Sequence, residues 1–184
     1  MNRLGKIALG LGAAMLLLGG VRGPRWTLDQ LHAGCDDQPR TAPPPWVKQN
    51  ADLVWAYYLL VCEIMGARVP IRGWWRQTRC NAARGGKPSS KHLEGGAIDI
   101  DPTPEQLRLL LGALVRSGTI PSESWDGQIS RRTPWGDRVR QRIGRDIGVG
   151  LIVYSSGAVH IDVGCVEHEG AECTPRRSDW IDVA

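Results

Sequence analysis

The sequence predicts an α+β domain: a small antiparallel sheet with helices packed on one face. Three observations carry that expectation. Residues 46–65 place Val54, Tyr57, Tyr58, Val61, Cys62 and Met65 at spacings of three and four, the period of a helix with one buried face. Residues 103–116 do the same with Leu107, Leu110, Leu111 and Leu114. Ala97–Ile100 and Val159–Val163 are short, rich in β-branched residues and flanked by glycine, the pattern of strands. With 184 residues, of which 42% are apolar and 23% charged, the chain is long enough for one domain with a real core.

Taken in order, the chain opens with Arg3 and Lys6, followed by an uncharged run from Ile7 to Val21. A basic start and an apolar run are the pattern of an export signal. The run is shorter than the about 20 residues a spanning helix needs. No Ala-x-Ala site follows it, and Arg22 and Pro24 stand where cleavage would fall. Residues 1–21 are therefore expected to be a signal peptide or an uncleaved membrane anchor. Residues 22–45, with five prolines, read as a linker, and residues 46–184 as the domain.

Within that domain, Gly66 is placed to end the first helix. Residues 69–72 read as a strand leading to Arg76. Thr103, Pro104 and Gln106 form a helix opening, with a threonine cap, proline at the first position and glutamine at the third. The pattern weakens from Ser117 to Gly148. Six arginines (Arg131, Arg132, Arg138, Arg140, Arg142, Arg145) are interleaved there with Trp125 and Trp135. A solvated basic segment with two packed tryptophans is favoured over a ligand-gripping surface.

Five cysteines leave one unpaired. Cys165 and Cys173 flank a short polar segment and are the favoured disulfide, closing a loop just after the second strand. No two cysteines have metal-ligand spacing. The net charge of +4 and pI of about 9.0 are too mild to indicate nucleic acid, and no phosphate-cradling glycine loop is present.

The chemistry concentrates around Ser90-Lys91-His92-Leu93-Glu94-Gly95-Gly96-Ala97-Ile98-Asp99. The two glycines permit the backbone to turn back, and the strand after them would carry Asp99 toward His92. His160 lies in a second apolar strand, where a polar residue needs a reason to be present. Two imidazoles and a carboxylate are a ligand set that catalytic zinc uses, with a fourth position left for water.

The motif resembles the Ser-x-His-x-x-Gly-x-Ala-x-Asp signature of the zinc D-Ala-D-Ala carboxypeptidases and murein endopeptidases of the hedgehog-like metallopeptidase superfamily. Ser90, His92, Gly95, Ala97 and Asp99 meet every fixed position. Upstream, Trp75-Arg76 and Asn81-Ala82-Ala83-Arg84-Gly85-Gly86 look like that family's run before the histidine. Downstream, Gly148-Val149-Gly150 and Ser156 through Gly164 look like its paired strands. The murein endopeptidase K-like branch is the most similar in feel, and the resemblance covers residues 50 to 165.

The resemblance implies Zn2+ held by His92, Asp99 and His160. It implies Arg76 near the site, holding a substrate carboxylate or a developing oxyanion, and Ser90 steadying the first histidine. A solvated arginine and a plain turn serine are the alternatives. Relatives carry a proton-transferring histidine two residues before the last zinc histidine, or an acid three before it. Here those positions are Ala158 and Gly157. Asp162 shares a strand face with His160, about 6.6 Å along. It is either the catalytic base or a structural partner of a ligand histidine.

The implied activity is zinc-dependent hydrolysis of amide bonds in peptidoglycan peptide stems or cross-links by a murein DD- or LD-endopeptidase. A D-Ala-D-Ala carboxypeptidase and a non-catalytic zinc-bearing wall-binding module are the alternatives. The expected partner is peptidoglycan, with no nucleic acid, and with the membrane only through an uncleaved N-terminal segment. The expected state is an exported monomer, periplasmic or membrane-anchored, facing the cell wall.

Overall fold

The computed structural model describes residues 25–164 and 178–184. The elements run α1 (Leu28–Leu31), α2 (Pro45–Met65), β1 (Ile71–Gly73), α3 (Thr78–Ala83), β2 (Ala97–Ile100), α4 (Pro104–Arg116), β3 (Gly127–Ile129), α5 (Pro134–Ile143), β4 (Val149–Val153), β5 (Val159–Val163) and β6 (Trp180–Val183). The six strands form one sheet in the order β1-β2-β5-β4-β6-β3. Neighbours are antiparallel except β4 and β6, which are parallel.

The α+β expectation holds, and the sheet corrects it in two ways: it is mixed rather than antiparallel, and wider than expected. Trp180–Val183 extends the sheet beyond β4, and Gly127–Ile129 adds the far edge. Both strands are short, and β3 begins with a glycine. Neither offers the repeated alternation by which a strand is read from sequence.

The two faces of the sheet differ sharply. One is built from Ile98, Ile100, Val149, Leu151, Val153, Val159, Ile161, Val163, Ile181 and Val183, all buried. α2 lies against β2 and β5 and touches α4 and α5. It is buried on most of its surface, which is why it reads more apolar than a surface helix. The opposite face carries a register row of Asp99, His160, Ile152, Asp182 and Gln128, one residue from each of five adjacent strands. Because side chains alternate along a strand, the polar row is the geometric counterpart of the apolar face.

Helix ends follow the sequence closely. Gly66 ends α2 at φ +75°, where a glycine pays no Cβ penalty. Thr103 and Gln106 make the expected capping box on α4. α5 starts at Thr133, whose hydroxyl oxygen accepts from Gly136 N. Behind that cap lies Asp179, fully buried. Its carboxylate accepts from Thr133 N at 2.7 Å, Thr133 Oγ1 at 2.9 Å and Arg140 Nη1 at 2.6 Å. Since Asp179 immediately precedes β6, this cluster fastens the last strand to α5. A Cβ on Gly136 would stand 2.0 Å from Asp179 Oδ2, so the glycine is what admits the carboxylate.

The arginine-rich stretch is mostly solvent-facing, as expected: Arg131, Arg132, Arg138 and Arg145 are exposed. Arg140 is buried on Asp179, Arg132 pairs with Asp146, and Arg142 with Glu63. Trp135 is fully buried and donates Nε1–H to Tyr57 Oη at 2.7 Å. Trp125 is half-buried against the core.

Residues 26–38 of the expected linker are instead packed onto the domain. Leu31, His32, Cys35 and Gln38 are buried, and Trp74 N and Trp75 N donate to Ala33 O and Leu31 O. A disulfide joins Cys35 to Cys80. Polar and proline-rich composition conceals this packing, because the few apolar residues have no period. Cys62 is buried and free. The expected pair Cys165 and Cys173 lies outside the described residues, as does the apolar run of residues 7–21. Among the described residues no helix is long and apolar enough to cross a membrane.

Candidate metal centre

His92, Asp99 and His160 come together. Each offers one ligand atom, and those atoms lie within 4.8 Å of one another. β2 and β5 supply Asp99 and His160 as a directly opposed pair. His92 comes from the preceding turn, in which Leu93 N donates to Ser90 O and Gly95 N to His92 O. Gly95 has φ +72°, and a Cβ there would stand 2.8 Å from Val47 Cγ1. The glycine of the motif is thus required both by the turn and by its close approach to α2.

Both imidazoles have one nitrogen engaged from outside the cluster. His92 Nδ1–H donates to Trp74 O at 2.7 Å, which leaves the Nε2 lone pair directed at Asp99 Oδ2, 3.2 Å away. Burial holds the His92 pKa below its usual value against the pull of Asp99, so the ring is neutral near pH 7. A lone pair and a carboxylate oxygen then face each other, and a cation between them would relieve that repulsion.

His160 is used the other way round. Its Nδ1 donates to Asp99 Oδ1 at 2.7 Å, and its Nε2 lies 3.4 Å from Asp162 Oδ2. Burial opposes the charged ring, but hydrogen bonds to Asp162 and Asp99 outweigh it and push the pKa up to about 9. Burial likewise disfavours the Asp99 carboxylate, yet the hydrogen bond from His160 Nδ1 outweighs it and holds the pKa well below the usual range. The Asp99 carboxylate is therefore ionised, and His160 Nδ1 carries a proton that a metal ion would displace. Two imidazole nitrogens and a carboxylate oxygen are donor types that zinc takes. The residues fit such an ion.

Arg76 is at the site, but not free. Its Nη2 donates to Asp99 Oδ2, and a Cβ on Gly73 would stand 2.6 Å from that nitrogen. The backbone that carries it is held at two points: Arg76 N donates to His92 O, and Gln77 N to Gln38 Oε1. Ser90 Oγ accepts from the His92 backbone amide at 3.3 Å, so it steadies the turn rather than the ring.

The family comparison agrees with this geometry. The peptidase M15 family model matches residues 26–119, just over half of the chain. The chain belongs to the peptidase M15 family. Membership carries the hydrolase and metallopeptidase classes with it. The match to peptidase M15 takes in His92 and Asp99 and ends before His160, which the fold brings to them. It also starts at Trp26, in agreement with the packed N-terminal segment. No curated protein and no solved structure matches the chain.

In this peptidase M15 chain, Asp162 lies on the Nε2 side of His160, across the ring from the Nδ1 that meets Asp99. Gly157, where relatives carry an acid, has φ +85° in the β4–β5 turn, a conformation that disfavours any side chain. Three features were not read from the sequence. The carbonyl of Trp74 is a backbone group and leaves no residue signal. The Cys35–Cys80 bridge joins positions 45 apart. Tyr154 lies just after β4, and its backbone N donates to Ala158 O. The Ser-Ser-Gly turn that follows it would have revealed this pairing.

Proposed function

We propose that this protein is a zinc peptidase that hydrolyses amide bonds in peptidoglycan cross-links, as an endopeptidase. One observation carries the reading. Trp74 O and Asp162 hold the outer nitrogens of His92 and His160 and turn the inner ones onto Asp99. Such outer hydrogen bonds fix ring tautomer and orientation in metal sites. When bound, the ion supplies Lewis acidity toward a carbonyl and acidifies a water.

The chain's own residues then divide the work. Asp99 is held by Arg76, so its carboxylate stays ionised and oriented. Asp162 orients His160 by accepting from Nε2, and this positioning role replaces the base role. Arg76, which would hold a terminal carboxylate in a carboxypeptidase, is engaged with Asp99 instead. That favours an internal bond over a free D-Ala end. The protein works outside the cytoplasm, on the cell wall, exported through its basic and apolar N-terminus.

Intact sacculi incubated with the zinc-loaded protein test the reading by product mass. New amine ends inside cross-links are expected. Release of free D-Ala would instead establish the carboxypeptidase. No product from a protein that still sediments with sacculi would establish a wall-binding module. Full activity in His160→Ala would overturn the zinc assignment.

A further inference from the structure

The open face of the sheet lacks a proton donor at every place where one was expected. Ala158 and Gly157 have none to give. Arg76 is bound to Asp99, and Asp162 sits behind His160. Tyr154 stands directly across from Ala158, through the hydrogen bond from Tyr154 N to Ala158 O at 2.9 Å. Ile152 is the register partner of His160. Tyr154, two residues further on, therefore rises from the same face as His160. Diagonal neighbours of this kind have Cα atoms about 7–8 Å apart, a span an aromatic side chain crosses. Ala158 is the small residue between them.

Three further observations describe the phenol. The residue is 43% exposed on a face whose neighbours are mostly covered. Its hydroxyl makes no hydrogen bond to any described residue. It also lies in the field of the metal cluster. Burial raises its pKa, the Asp99 carboxylate adds to the rise, and the Arg76 guanidinium offsets part of it. The hydroxyl thus keeps its proton at neutral pH and acts as a donor.

Resting on the peptidase reading above, we propose that Tyr154 is a catalytic residue: its hydroxyl donates a hydrogen bond to the carbonyl oxygen of the amide being cut. That oxygen gains negative charge as the carbonyl carbon becomes tetrahedral. A donor aimed at it from a fixed strand end lowers the barrier without lowering the energy of the bound substrate equally. Ala158 fits this arrangement, because a larger residue would fill the space the phenol crosses. The polar group then stands at the end of β4, across from the Gly157 and Ala158 positions just before β5.

The test is Tyr154→Phe in the full chain, which keeps the ring and removes the hydroxyl. Four quantities are read: kcat and KM on a cross-linked muropeptide, zinc affinity, melting temperature, and affinity for a phosphinate analogue of the scissile dipeptide. The expected result is a kcat lower by about 10²-fold, the size of effect seen for removal of one such donor. Phosphinate binding weakens by a similar factor, while KM, zinc affinity and melting temperature stay unchanged. Turnover within threefold of wild type overturns the proposal. So does a rise in KM with kcat unchanged, or a loss that tracks lost zinc. If the unaltered protein cuts no muropeptide, the peptidase reading itself fails and this proposal falls with it. If it cuts and Tyr154→Phe cuts equally well, only the proposal fails.

Discussion

Replacing Asp162 by alanine separates a positioning role from a base role. Asp162 is 5% exposed, and its Oδ2 lies 3.4 Å from His160 Nε2. Removing it frees that ring to tilt and to exchange tautomers, so that Nδ1 carries a hydrogen and cannot bind a metal ion. Loss of such an outer partner typically costs 10–100-fold in metal affinity, or about 1.4–2.7 kcal/mol. The comparison belongs at or above pH 9. Below that, Asp162 and Asp99 together hold His160 protonated, with a pKa of about 9, and the proton competes with the metal in the unaltered protein more than in the variant. The assay is zinc titration against a competing chromophoric chelator, followed by turnover at saturating zinc. The expected outcome is weaker zinc binding, with turnover recovered to within a few-fold once zinc is in excess. Unchanged zinc affinity with turnover down by 10²-fold or more at saturation would refute the reasoning and make Asp162 the base.

Two further outcomes concern stability. Asp179→Ala leaves Arg140 buried without its main acceptor and removes the partner of the Thr133 cap, so urea unfolding should show a loss of about 3–5 kcal/mol, partly recovered by adding Arg140→Met. Cys35→Ser opens a bridge of sequence separation 45 and should cost about 2–4 kcal/mol in thermal unfolding. It should also weaken zinc binding, because the Cys35 segment braces the backbone after β1, where the Trp74 carbonyl holds His92.

Much of the candidate site was legible because its residues are tied to local rules. Gly95 marks the turn that returns the chain, and Ala97–Ile100 alternates so that Asp99 faces away from Ile98 and Ile100. The same alternation in Val159–Val163 placed His160 and Asp162 on one face. Helices α2 and α4 were legible from period and caps. What was missed depends on contacts between distant segments. Residues 26–38 gain their place from Trp74, Trp75 and Cys80, none of which leaves a trace in local composition. The parallel pairing of β4 with β6 joins segments whose order in the chain does not fix their order in the sheet. One arginine of the basic segment, Arg140, is buried because it meets Asp179, 39 residues away.

The sequence by itself determined which side chains could bind a metal ion and that they sit on a turn and two strands. Residue type and backbone period are local properties, and they suffice for that. Only the tertiary structure decided what each group faces. Arg76 is spent on Asp99, Asp162 stands behind His160, and Tyr154 is brought across from Ala158. The physical reason is that strand register and close packing, rather than spacing along the chain, set which polar atoms meet. A hydrogen bond depends on a few tenths of an ångström that no residue pattern encodes.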